Sequence, residues 1–350
     1  MAAISQRPGG TLAGGVLPNW APYAVFAAAA ALSAAVLLAT GSFTVALMLV
    51  FAVIAACIGI YALSRAVEGP RRAVDRTVTV AIAAAFALAM IPLISLLYEV
   101  AKRGLPGLDW EFLTADARGV VNGGGAAQAL VGTLVITGVA VVISVPIGIM
   151  AAIYLTEYGT GRLRRALTFF VDVMTGIPSI VAGLFAYALF ELFLGPGIRL
   201  GVMGSLALSV LMIPIVIRSA EEVLKIVPNH LREAAYALGT PKWRTITKVV
   251  LPTAFAGLVT GVMIATARII GETAPLLVTT GVVDSINADP FNGRMQNLAV
   301  YAYNEYRSPG VMKQASYDRA WAAALVLIAI VMILNVLARI VYRRYKTEIR

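Results

Sequence analysis

Long runs of apolar positions, separated by short polar stretches, set the pattern of the chain. A β-barrel would instead show short segments of strict alternation. Several runs exceed about eighteen nearly uncharged residues, the length a helix needs to cross a bilayer. They predict eight spans, about Pro22 to Thr40, Phe43 to Leu63, Val78 to Leu97, Gln128 to Tyr154, Leu167 to Leu194, Val202 to Ile217, Ala254 to Thr280 and Trp321 to Val341. The first run is too long for the core of a cleaved signal peptide and reads as a retained span. Two longer polar stretches, Glu99 to Gly125 and Gly281 to Asp318, interrupt the series. Within the first, Asn122-Gly123-Gly124-Gly125 reads as a hinge before the next span. Pro146, Pro178, Pro214 and Pro275 fall in four consecutive spans. Prolines survive there when the freed carbonyls face protein or a wet cavity, which favours a moving pathway over a static anchor. The fold expected is an all-α, polytopic integral membrane bundle.

Composition agrees: 60% of residues are apolar and 13% charged, which excludes an ordinary soluble domain. The net charge of +10 does not call for nucleic acid, because it is distributed by side. With the first tail placed inside, the inside segments carry 19 Lys and Arg and the outside segments 8. That bias predicts both termini, and the polar segment between the sixth and seventh spans, on the cytoplasmic side. Cys57 is the single cysteine and lies in an apolar run, so neither a disulfide framework nor a cysteine metal site is expected. No GxxxxGK[ST] loop occurs, so the chain does not hydrolyse ATP by that route.

Three ionisable residues fall inside the runs: Asp172, Arg268 and Glu272. Even on insertion scales, a mid-span charge costs about 2.5–3.5 kcal/mol, so each needs a partner or water. Arg268 and Glu272, four apart on one predicted helix, share a face. Two readings stand, a private ion pair or a pair lining a translocation path. Arg268 lies roughly 20 Å into its helix at 1.5 Å per residue, past the bilayer middle. Its planar guanidinium suits an oxyanion, and an ionised Glu272 would accept a hydrogen bond from a protonated anion. Asp172 reads equally as an interfacial or a packing charge. Arg218, where the sixth span meets the cytoplasm, reads as a snorkelling residue or an inner gate contact.

Between the sixth and seventh spans runs EAAYALGTPKWRTITKVVLP, Glu233 to Pro252. Gly239 is placed to stop one helix in the left-handed region. Thr240 reads as the N-cap of the next, with Pro241 at its first position. Glu233-Ala234-Ala235, Gly239 and Leu251-Pro252 match the coupling loop of ATP-binding cassette (ABC) importer permeases, E-A-A, three residues, G, nine residues, I-x-L-P; Val249 stands where Ile is usual. Together with GIMAAIYLTEYG, GIPSIVAGLF, IPIVIR, LREAAYALGTPKW and ARIIGETAPLL, the chain resembles a permease subunit of the phosphate-specific ABC importers from about Val78 to Tyr345.

The resemblance implies a type I importer core of six spans, here preceded by two extra N-terminal spans. It implies a tail over 1–21, the extra spans and a basic linker over 22–76, and a first core helix with an outer segment over 77–125. A permease domain over 126–342 would contain the coupling loop, 218–252, and a short end would cover 343–350. Glu233, Ala234, Ala235 and Gly239 would seat on the ATPase. Arg268, Glu272, Thr273 and Arg218 would line the substrate path. The partners implied are a PstC-type permease subunit, two copies of a cytoplasmic ATP-binding subunit, an extracytoplasmic phosphate-binding protein, inorganic phosphate and membrane lipid. No catalytic residue, cofactor or metal is implied. A permease for sulfate, molybdate or phosphonate, and an ATP-independent secondary transporter, are the alternatives; the latter would call for an inverted repeat.

Overall fold

The computed structural model describes residues 16–18, 20–118 and 124–345. Most of the tail, Asn122 and Gly123 of the expected hinge, and the chain after Tyr345 lie outside them. Among the described residues seven helices are long and apolar enough to cross a membrane, and a bent helix pair makes an eighth span if counted as one. The chain divides into two units, Met1–Tyr98 and Glu99–Arg350.

In the first unit α1 (Ala21–Ala39) and α2 (Val45–Val67) form a hairpin. The residues they bury are mostly small, Ala21, Ala29 and Ser33 with Leu37 on α1, and Ala52, Ala56 and Ser64 with Ile60 on α2. Lipid is as apolar as Leu, so helices in a bilayer gain by close backbone approach rather than by burial from water. Gly59 meets Val25 closely enough that a Cβ would sit 3.0 Å from its Cγ1. α3 (Pro70–Gly104) follows after Gly69, whose φ of +90° permits the reversal. Glu68 ties this junction together. It accepts from the Ser64 hydroxyl at 2.6 Å and the Leu17 N–H at 2.8 Å, and pairs with Arg76 at 2.8 Å.

The second unit is built on α5 (Ala127–Ile153) and α8 (Gly201–Ile226). Ser205 and Ser209 of α8 donate to the carbonyls of Ile136 and Ala140 on α5, at 3.0 and 3.4 Å. Gly148 lies against Val216, where a Cβ would come within 2.6 Å. The main core gathers Ile136, Ala140, Leu208, Met212, Ala265 and Ile269. α11 (Leu251–Ile270) supplies the last two and packs on α8, α5 and α14 (Lys313–Tyr345). A second core beside the two long polar stretches joins Phe112 of α4 (Trp110–Thr114) to Leu298 and Tyr301 of α13 (Leu298–Arg307) and to Ala322 and Ala323 of α14.

Two spans expected as continuous helices are broken. The fifth is broken into α6 (Gly161–Thr175) and α7 (Ser179–Leu194), bent by 106°. Pro178 has no N–H to continue the ladder and disfavours helix at Ile177, so the chain turns at Gly176-Ile177-Pro178. The seventh stops at Ile270. Gly271, Glu272 and Thr273 turn, and α12 (Ala274–Thr279) follows with Pro275 in its first turn. Pro146 and Pro214 stay inside continuous helices. The sixth span is also longer than predicted, since α8 continues to Ile226 and carries Arg218 on a helix.

The Ser64 hydroxyl, the Leu17 N–H and Arg76 hold the Glu68 carboxyl below the usual carboxylate range. A lowered folded value stabilises the junction at neutral pH, and that stabilisation is lost as pH falls through it. Hydrogen exchange at Leu17, corrected for its intrinsic rate, should therefore show protection that disappears on acidification; Glu68→Gln should reduce it at neutral pH. Equal protection in variant and wild type would remove Glu68 as the clasp.

Candidate functional site

The two helix breaks meet. The α6–α7 joint brings Met174, Thr175, Ile177 and Ser179 to a cavity of about 210 Å³. α8 adds Leu211, Pro214 and Ile215, and the end of α11 adds Arg268, Ile269 and Glu272. Gly183 of α7 lies against Pro275 of α12, where a Cβ would be 2.6 Å from the proline Cα. The two interrupted elements therefore pack on each other beside the cavity.

Arg268 occupies the last turn of α11 and Glu272 the turn beyond it. The expectation that they share one helix face is corrected: Gly271 ends the helix between them. Among the described residues no ion pair joins them, so the private-pair reading fails. Instead Arg268 and Glu272 line one small space, and Thr175 and Ser179 line it too. Thr273 is half-buried at the start of α12 and is not among the lining residues. Ser179 and Thr175 were missed in the sequence; the Gly-x-Pro at 176–178, read as a break, would have pointed to them.

Arg218 does not join this cavity. It bridges Asp172 of α6 and Glu221 of its own helix, the latter at 2.9 Å. Asp172 is thus a packing charge that ties α6 to α8. Glu221 also accepts from Lys225 at 2.7 Å.

The coupling segment forms a helix, a turn and a helix: α9 (Asn229–Ala237), then Leu238-Gly239, then α10 (Lys242–Thr245). Gly239 takes φ +72°. The Thr240 N–H donates to the Ala235 carbonyl at 3.2 Å and the Gly239 N–H to Tyr236 at 2.9 Å. This is the two-bond helix stop that needs a residue of positive φ. The residue before α10 is Pro241 rather than the expected Thr240, and no side chain caps that helix. Glu233 and Ala234 are exposed and Ala235 is buried. Leu238, 86% exposed, stands at the tip with Tyr236 and Trp243 also exposed.

What holds α9 is a residue that sequence reasoning passed over. Arg232 donates to Glu157 at 2.8 Å and to the carbonyls of Val227 and Leu224 at 2.6 and 3.0 Å. Glu157 lies in the π-helical turn Tyr154–Tyr158 that ends α5. The two side chains are only 14% and 6% exposed. One guanidinium thus joins α9, the end of α8 and the end of α5. They are 75 positions apart, and no local pattern links them. Below them Ala152, Leu224, Val250, Ala254 and Leu258 form a further core.

A membrane-spanning helical bundle with an exposed helix–turn–helix and a charged cavity at paired helix breaks is the architecture of a transport subunit. The chain belongs to the family described as binding-protein-dependent transport system inner membrane component, whose model matches residues 144–350. It is similar to the phosphate transport system permease protein PstA 1 of Mycobacterium tuberculosis (strain CDC 1551 / Oshkosh), with 45% identity over 275 residues, 77% of this chain and 89% of the relative. It is also similar to PstA of Yersinia pestis, at 38% identity over 282 residues, 79% of this chain and 92% of that one. Among solved structures, a chain of a bacterial alginate ABC transporter, in complex with an alginate pentasaccharide-bound periplasmic protein, superposes with a TM-score of 0.57 at 13% identity. That match covers 78% of this chain and 96% of the other, and shows the shared fold. The chain is thus an inner-membrane, multi-pass ABC transport permease.

Removing one partner of a buried ion pair leaves the other charge uncompensated, at a cost of about 3–5 kcal/mol. Glu157→Ala and Arg232→Ala should each lower the thermal midpoint of the purified protein, and the double variant should cost little more than either. Additive losses in that cycle would show that the two side chains act separately.

Proposed function

We propose that this chain is a permease subunit of an ATP-driven phosphate importer, forming half of the translocation path and coupling it to a cytoplasmic ATPase. The observation that carries this reading is the Arg268 guanidinium, without an ion pair among the described residues, in a small cavity at the joint of two broken helices. A cation left there at an insertion cost of about 2.5–3.5 kcal/mol is accounted for when an anion passes it. Broken helices at a cavity are also where transport substrates are held while one bundle moves against another. The relatives are named for phosphate transport.

In this reading Arg268 meets phosphate oxygens, Glu272 accepts from a protonated oxygen, and Thr273, the residue after Glu272 at the start of α12, lies next along the path. Arg218 stands at the inner end of the route. Glu233, Ala234, Ala235 and Gly239 form the ATPase contact, with exposed Leu238 as its apolar centre. Both termini are cytoplasmic. The permease domain runs over 126–342 with its coupling loop within 218–252, and 22–76 is an addition in front of the core. The chain is not itself catalytic; ATP hydrolysis belongs to two copies of a partner subunit. A PstC-type subunit completes the path, and an extracytoplasmic phosphate-binding protein delivers the substrate.

The test is phosphate uptake in cells carrying the whole transporter, with assembly verified. Arg268→Gln should abolish uptake at normal assembly, and Arg268→Lys should keep part of it, since an ammonium still binds phosphate as a point charge. Unchanged uptake by Arg268→Gln would sink the assigned path. In the same cells Glu233→Lys should release the ATPase in a pull-down; retained association would place coupling elsewhere.

A further inference from the structure

A second cavity, of about 850 Å³, opens between α6 and α8, lined by Arg164, Arg165, Thr168 and Phe169 from α6 and by Arg218 and Lys225 from α8. Asp172 and Glu221 also line it, and both are already engaged, by Arg218 and by Arg218 with Lys225. Arg164 and Arg165 have no ion pair among the described residues. The cavity therefore keeps an excess of positive charge that the protein does not neutralise.

α6 has three faces. Val171 and Leu167 turn into a core with Leu155 and Ile217. Arg164, Arg165, Thr168 and Asp172 turn to the cavity. Beyond Phe169, which lines the cavity's edge and is 71% exposed, the remaining side carries Phe170, Leu163 and Val173 at 60%, 57% and 49% exposure. An amphipathic helix with arginines beside a bare aromatic face is suited to the plane where headgroups meet acyl chains. The 106° bend that follows it lets α6 run apart from the direction of α7.

We propose that this cavity holds the phosphate headgroup of an anionic phospholipid. Arg164 and Arg165 bind the phosphate oxygens, and Phe169, Phe170 and Leu163 lie against the acyl chains. The apolar face decides between sources of the same chemistry, because free inorganic phosphate has no use for it. The leaflet follows from the orientation proposed above, in which this end of α8 is cytoplasmic.

The experiment is native mass spectrometry of the purified, assembled transporter in detergent, where sidedness and transport play no part. Its outcome is thus independent of the uptake test of the phosphate path. The probes are phosphatidylglycerol, phosphatidylcholine and inorganic phosphate. Wild type should retain phosphatidylglycerol over phosphatidylcholine, and the double variant Arg164→Gln/Arg165→Gln should lose about thirty-fold in that retention for two guanidiniums near a lipid phosphate. Arg162→Gln, on the same helix but outside the cavity lining, should keep the wild-type preference. Equal retention of both lipids by wild type, which needs no variant, overturns the proposal. So does an equal loss in Arg162→Gln, which would mean general surface charge. Displacement of the lipid by millimolar inorganic phosphate would make the free anion the occupant and overturn it as well.

Discussion

A bilayer supplies no water to an opened backbone, and that constraint decides where this chain can break its helices. It breaks two, at Gly176-Ile177-Pro178 and at Gly271-Glu272-Thr273, and both breaks border one cavity. Each turn closes locally. The Gly176 N–H donates to Val173 at 3.0 Å and the Ile177 N–H to Met174 at 3.2 Å. The Glu272 N–H donates to Ile269 at 3.1 Å. Pairing the interruptions in space confines irregular backbone to the place where polar side chains already collect. A single break facing lipid would have no such company.

The cavity and the coupling surface share their supports. α8 gives the cavity Leu211 and Pro214 and, further along, carries Arg218, Glu221 and the Leu224 carbonyl that Arg232 holds. α11 begins where that segment ends and carries Arg268 in its last turn. In the proposed coupling, a displacement of α9 would reach the cavity through α8 and α11, and the bonds of Arg232 would tie α9 to the ends of α5 and α8. Close-packed interfaces transmit such shifts because they cannot deform gradually. Val216 filling the space left by Gly148 is one such contact.

The spans and the helix–turn–helix were legible in the sequence, because apolar length and a glycine at a helix end are local signals. Gly239, after a helical run and ahead of Thr-Pro, reads as a positive-φ stop, and its backbone takes that conformation. The break at Gly271 was not legible. Apolar residues continue on both sides of it, and hydropathy does not register a turn whose groups are satisfied within three residues. Arg268 and Glu272 were consequently found, but placed on one helix face. The cap before α10 was misplaced by one residue because Pro241 with extended ψ can serve there without a side-chain bond. Arg232 and Glu157 were beyond reach for a different reason: their pairing is a fact of the tertiary fold, and each alone reads as a surface charge.

The separation of Arg268 from Glu272 bears on what the proposed path would pass. A bonded pair would present nearly zero net charge and would have to open for any anion to bind. Left unpaired beside one cavity, the two offer five donors and, separately, an acceptor. An anion carrying one proton satisfies both, its bare oxygens toward the guanidinium and its hydroxyl toward the carboxylate. A fully deprotonated oxyanion satisfies only the first and meets repulsion at the second. The turn at Gly271, by keeping acid and base apart, is then the element on which selectivity between phosphate and sulfate would rest.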